Sequence, residues 1–278
     1  MSGPTKSPLA GAFTGTAQGA VANADIASGA ASSIGCPEGP LTGKVALVTG
    51  ASRGIGRAVA VALAAQGAHC VITARTVGGL EETDDLILAA TGRRSTLLPL
   101  DLADGSGADA LGPSIARRFG RLDLLVHAAA MFVPLSPVAH IRDKDWEQAL
   151  GVNLIASMRL LRTTTPLLRE AALGRAVILI NRQDTAPGRF RSGGAVCRAA
   201  LEALVESWRE EMADRPAFLV SLFDPGPTAT RMRAQAFPGG EDVRPRTPDE
   251  AAATILSLLM PQINAGNSAS SRAKEPKR

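Results

Sequence analysis

"VTGASRGIG", residues 48–56, is the stretch whose reading decides the fold. It joins an apolar run, "KVALVTG" (44–50), to a helical pattern that extends from about Ile55 to Gln66 and stops at Gly67. Gly50, Gly54 and Gly56 stand 4 and 2 residues apart, which is not the G-x-G-x-x-G spacing. Their physical use is the same. Glycine allows a tight turn and close backbone approach to a pyrophosphate, and the following helix N-terminus stabilises negative charge. A glycine turn by itself is weak, since turns use glycine for many reasons. A strand before it and a helix after it raise nucleotide binding above a plain turn.

Outward from that turn, strand-like and helix-like stretches alternate. Strands are expected at 68–75, 95–102, 122–130, 175–181 and 217–226. Helices are expected at 80–90, 107–120 (despite Pro113), 143–170 with a break at Pro166, 196–214 and 248–260. The strands are continuously apolar, as in a parallel sheet buried on both faces. The pattern predicts an α/β fold: one Rossmann-type domain, a doubly wound parallel sheet with helices on both faces. Residues 1–41 are rich in Gly, Ala, Ser and Thr and read as a flexible extension. Residues 42–261 form the dinucleotide-binding domain, and 262–278 a basic flexible tail.

Composition narrows the function. The chain has 278 residues, 45% hydrophobic and 20% charged, enough to bury a sizeable core. Its net charge of +4 owes +3 to "RAKEPKR" (272–278), and aromatics are only 3%. No basic stripe is interleaved with aromatics, so nucleic acid is not an expected partner. No apolar run reaches membrane-spanning length. Cys36, Cys70 and Cys197 lie far apart, form no C-x-x-C pair and have no clustered histidine, so no metal site is expected. A reduced, cytoplasmic protein is the plain reading. The chain contains no tyrosine.

Thr49 to Gly56 match T-G-x-x-x-G-x-G in full, and over about residues 42–260 the chain resembles the short-chain dehydrogenase/reductase family. "DPGPTATRMRAQAFPGG" (224–240) looks in particular like its bacterial YciK-like branch. The resemblance implies a cofactor site at Gly50, Ser52, Arg53, Gly54, Ile55 and Gly56, with Asp101 and Leu102 after the third strand and Ala128 and Ala129 after the fourth. It adds Pro225, Gly226, Thr228 and Thr230 from the P-G-x-x-x-T match. The second strand ends at Ala74 and Arg75 with no acid for a ribose 2′-hydroxyl. Arg53 and Arg75 suit a 2′-phosphate, so NADP(H) is the expected cofactor.

The family uses an asparagine, a serine, a tyrosine and, four residues on, a lysine. Residues i and i+4 share a helix face, which keeps the acid beside its tuning cation. "RAALEAL" (198–204) aligns with K-A-A-L-E-A-L, which puts Arg198 at the lysine position, where it would also reach the cofactor. Gly194 then stands where the tyrosine belongs, and Asn181 where the serine belongs; Asn153 in "GVNL" is retained. Arginine cannot act as an acid at neutral pH. Hydride transfer on a carbonyl or alcohol is therefore expected to be weak or absent. The alternative is a non-catalytic NADP(H)-binding regulatory or structural subunit. His127, where the family has asparagine, reads as a structural group bonded to backbone. Cys197 reads as a packed helix residue. Gly193 and Gly194 are expected to delay the helix to about Ala195, leaving 182–194 as a mobile, arginine-rich segment. That segment reads as a solvated loop, with an acidic-ligand site at Arg182, Asp184, Arg189 and Arg191 as the alternative. Family members pair through two long helices, here about 143–165 and 196–212, so a homo-oligomer is implied.

Overall fold

The computed structural model describes residues 39–182, 186–239 and 243–260. Six strands form one all-parallel sheet: β1 (Val45–Thr49), β2 (His69–Ala74), β3 (Thr96–Pro99), β4 (Leu124–His127), β5 (Gly174–Leu179) and β6 (Phe218–Phe223). Their order is β3-β2-β1-β4-β5-β6. The direction of winding reverses between β1 and β4, and in such sheets ligands bind outside the carboxyl ends of the strands at that point.

Successive side chains alternate between two cores. Val45 and Leu47 of β1 pack with helices α3 (Gly105–Phe119), α5 (Ala156–Glu170) and α6 (Ser192–Glu211). Ala46 and Val48 pack with α1 (Gly54–Ala65), α2 (Val77–Thr91) and α8 (Pro248–Leu259). This alternation is why the strands read as unbroken apolar runs: neither face meets water. The fold begins before residue 42. Leu41 is 2% exposed and belongs to the second core, and its N–H donates to Gln66 O at 3.0 Å.

Three helices depart from the expected pattern. Pro113 sits inside α3, and the Asp109 carbonyl it cannot bond accepts the Thr163 hydroxyl of α5 at 3.0 Å instead. The break expected at Pro166 falls elsewhere: Pro166 lies within α5, while α4 (Asp143–Leu150) is separated from α5 by a π-turn at Gly151–Ile155. A short α7 (Arg231–Ala236), capped by Thr230, has no counterpart in the periodicity because six residues are too few to show one.

Candidate cofactor and active site

The glycine turn lies at the switch point between β1 and β4. Gly50 has φ +67, and a Cβ there would lie 2.8 Å from both the N and Cα of Ala129. The loop after β4 thus presses against the turn, and only glycine fits. No side chain caps the N-terminus of α1. Its first N–H groups therefore face outward at the sheet's carboxyl edge. Thr230 reaches the same place, with its methyl 3.6 Å from the Cβ position of Gly54.

Behind the turn runs a buried chain of hydrogen bonds. The Ala129 N–H donates to Thr49 Oγ1 at 3.2 Å. Thr49 Oγ1 lies 2.8 Å from His127 Nδ1, and His127 Nε2 lies 2.8 Å from Ser157 Oγ. The Ser157 hydroxyl donates to the Asn153 carbonyl at 3.3 Å. One direction satisfies every group: Thr49 donates to Nδ1, and Nε2–H donates to Ser157. His127 is 2% exposed, and burial pushes its imidazole down to about 4, so it is neutral. It is structural, as read, but its partners are side-chain hydroxyls and not backbone.

At the end of β2 no acid follows Ala74. Arg53 and Arg75 are exposed, and among the described residues neither forms an ion pair. Arg57, by contrast, is committed to Glu82 at 2.6 Å and to Ser52 O. Asp101 is exposed, and its Oδ1 accepts the Ala103 N–H at 3.0 Å; the Leu102 side chain turns into the core at 7% exposure. Pro225, Gly226 and Thr228 form the turn after β6. There the Gly226 N–H donates to Asp224 Oδ1 at 2.9 Å, and the Thr228 hydroxyl donates to Gly226 O at 3.2 Å.

A cavity of about 100 Å³ opens beside this edge. Asn153, Asn181, Gly194 and Arg198 all line it. The four positions, spread over 46 residues, are brought together by α6, the end of β5 and the π-turn. Asn153 holds the cavity wall by pairing with the backbone of one residue: its Oδ1 accepts the Met131 N–H at 2.8 Å, and its Nδ2 donates to Met131 O at 3.2 Å. Arg198 is paired with Glu202 one turn along the helix, and Arg182 Nε donates to the same carboxylate at 2.9 Å. Cys197 also lines the cavity. Burial pushes its thiol up, against a hydrogen bond with the Asn153 side chain. It is a protonated thiol, not an activated one.

The helix does not wait for Ala195. α6 starts at Ser192 and includes Gly193 and Gly194. A Cβ on Gly193 would stand 2.7 Å from Val133 Cγ1, so the missing side chain lets the cavity wall pack against the first turn. That contact outweighs the low helix propensity of glycine, about 1 kcal/mol. Before it, Phe190 adopts φ +68, and its carbonyl accepts the Ser136 N–H at 2.9 Å. Residues 186–191 therefore form a tied turn; Asp184 of the proposed acidic-ligand site lies outside the described residues. The wall segment Met131–Leu135, Phe190, Glu202 and Ser157 were not singled out in the sequence. Only Glu202, four residues after Arg198, carries a local signal for its role.

Residues 44–240 match the short chain dehydrogenase family model. The oxidoreductase YciK of Escherichia coli K12 is 30% identical over 225 residues, covering 79% of this chain and 87% of YciK. Glycine betaine reductase ATRR of Emericella nidulans is 33% identical over 197 residues, but this chain spans only 15% of its length. Among solved structures, a short chain dehydrogenase of Shigella flexneri complexed with NADP has a TM-score of 0.75 and 27% identity, covering 81% of this chain and 94% of that one. One from Escherichia coli CFT073, complexed with NADPH, has a TM-score of 0.74 and 28% identity, covering 80% and 92%. These matches show that the chain belongs to the short-chain dehydrogenase/reductase family, in its YciK-like branch.

Proposed function

We propose that this chain binds NADP(H) at the glycine turn and has at most a slow oxidoreductase activity on a carbonyl or alcohol. The residues fit the cofactor. Gly50 lets the loop after β4 close on the turn where any Cβ would clash with Ala129, α1 presents an uncapped N-terminus, and Arg53 in the glycine turn and Arg75 at the end of β2 supply the charge that a 2′-phosphate requires. The NADP- and NADPH-bound relatives support the same assignment. When bound, the cofactor supplies or accepts a hydride.

The chain's own residues would then orient and exclude rather than donate. Asn181 has an amide that can donate to a carbonyl oxygen, and Asn153 holds the Met131 wall. Arg198 contributes fixed positive charge and no exchangeable acid at neutral pH. One observation carries the reading: Gly194 lines the cavity where Asn153, Asn181 and Arg198 converge, and no tyrosine exists to replace it. Water must supply the proton, which costs about 10²–10⁴ in rate.

The test is direct. NADPH fluorescence titration should show binding; none below millimolar would remove the proposal. Turnover on a panel of ketones and aldehydes should be slow, and family-like rates would show a missed proton donor. The triple change Asn181→Ser, Gly194→Tyr, Arg198→Lys should raise turnover by about 10²–10⁴. A second reading, a cofactor-binding subunit with no turnover, is supported by the Arg198–Glu202 pair, which commits that charge within the helix. The exposed apolar side chains of Ile155 and Val196, on the pairing helices, support a homo-oligomer, which light scattering tests. Cys70 and Cys197, both unpaired and buried, support a reducing cytoplasmic setting.

A further inference from the structure

The cavity is walled mostly by hydrocarbon, with Phe132, Val133, Leu135, Phe190, Leu201 and Met232 in its lining. The two charged side chains that line it are engaged within the chain, Arg198 with Glu202 and Arg191 over the Phe237 ring at 4.8 Å. At about 100 Å³ the cavity is smaller than the roughly 150 Å³ apolar cavity that holds one benzene ring. A larger ligand seats only its reacting end inside, and the rest must lie across the mouth. Two apolar side chains stand there. Leu135 and Phe190 both line the cavity, and each is still 45% exposed. They come from separate loops that are tied together, since the N–H of Ser136, next to Leu135, donates to the Phe190 carbonyl at 2.9 Å.

Phe190 is held there against its own backbone preference. Its φ of +68 falls in the left-handed region, where a bulky side chain is an outlier, and among the described residues no other non-glycine has a positive φ. Such a conformation persists only where the surroundings fix it, and it gathers at ligand contacts. Two contacts fix this one: the Ser136 bond to its carbonyl, and Arg189, whose guanidinium lies over the ring at 5.2 Å. Burial in the fold does not explain it, because a ring left 45% exposed keeps much of its surface in water. A ligand does explain it. Hydrocarbon laid between Leu135 and Phe190 takes both side chains out of water at once.

We infer that the ligand of this cavity is a neutral carbonyl compound or alcohol with an extended hydrocarbon tail, its polar end beside Gly194 and its tail leaving the mouth between Leu135 and Phe190. Phe190 is then the residue that sets a preference for long ligands over short ones. The fate of the carbonyl group rests on the function proposed above; the hold on the tail needs no cofactor. A short ketone fits inside and leaves both side chains in water. The competing occupant of two exposed apolar side chains is a second copy of the chain, which the experiment separates.

Calorimetry with straight-chain methyl ketones from butanone to 2-decanone, on the cofactor-free and the NADPH-saturated full chain, tests the inference. Past the shortest members, each added methylene should tighten binding about two- to four-fold until the tail clears the mouth. One ketone should bind per chain, with a heat-capacity change that grows more negative along the series. Phe190→Gly should cut the gain to less than about 1.5-fold per methylene. It should also melt no lower than the parent, since glycine adopts a positive φ without steric cost. Leu135→Ser should reduce the gain as well. Equal affinity along the series, no binding up to the solubility of 2-decanone, or an unchanged gain in both variants overturns the inference. Uptake of several ketones per chain does so too, because it is partition onto any apolar surface. Binding that weakens as protein concentration rises, with a matching rise in mass by light scattering, assigns the two side chains to a contact between copies and overturns it equally. Failure of the NADPH titration alone sinks the proposed function and leaves the series on the cofactor-free chain standing. The chain-length series needs no variant, so a misfolded Phe190→Gly does not remove the test.

Discussion

Replacing His127 by asparagine, the residue the family carries there, tests the buried network directly. His127 is held neutral between Thr49 and Ser157, with its imidazole pushed down to about 4 by burial. In the unfolded chain its value is about 6.5. Between those values the unfolded state binds a proton that the folded state refuses. Acid therefore favours unfolding: the contribution is complete above about pH 6.5 and is lost as pH falls towards 4. The full window is worth about 3 kcal/mol, of which about 2 kcal/mol is gone by pH 5. His127→Asn removes the titration. At pH 7.5 the variant should be less stable by about 1–3 kcal/mol, through one or two imperfect hydrogen bonds. By pH 5 that deficit should shrink by about 2 kcal/mol. The assay is urea unfolding of both proteins, read by fluorescence of the two tryptophans, at intervals from pH 7.5 to 4.5. His69, Asp84 and Asp123, whose values are also lowered, titrate in both proteins and cancel in the difference. A deficit that stays constant across the range would refute the account of His127.

Four further outcomes are expected. Gly50→Ala forces a Cβ at φ +67 into the Ala129 backbone, so it should lose NADPH binding and more than about 1 kcal/mol of stability, by titration and thermal melting. Ala74→Asp with Arg75→Ala should move cofactor preference from NADP(H) towards NAD(H); an unchanged ratio of affinities would remove the arginine argument. Asp123 is fully buried. Burial alone would raise its carboxyl, but hydrogen bonds from Arg121 and the Val45 N–H, with the charge of Lys44, hold it below the ordinary range. Its stabilisation is present at neutral pH and lost as pH falls through that lowered value. Asp123→Asn should thus cost about 1–3 kcal/mol at pH 7, fading in acid. Cys70, its thiol pushed up to about 12 by burial, is ionised in about one molecule in 10⁴ at pH 8. Mass spectrometry after alkylation should find it unmodified in the folded chain and modified in urea.

Sequence alone determined the parts of this protein that depend on neighbours within a few residues. The strand–turn–helix at 45–65 was legible because a short apolar run and a helical pattern are local, and because glycine marks a turn whatever surrounds it. The positions 153, 181, 194 and 198 were named through the resemblance to the family, carried by "GVNL" and the motif at 198–204, and they do line one cavity. The missing proton donor needed no structure, since an absent tyrosine is absent in every conformation. Tertiary structure decided the rest. The early start of α6 depends on Val133 packing against Gly193, a contact 60 residues away in sequence. Likewise the Pro113 helix is completed by Thr163 of another helix, and the bend near Asn153 is a π-turn rather than a proline kink. The cavity, its wall fixed by Asn153, arises only when the loop after β4, the π-turn, β5, α6 and α7 meet. Local propensity is worth about 1 kcal/mol or less per residue, while those long-range contacts act together, so packing overrides the local signal wherever the two disagree.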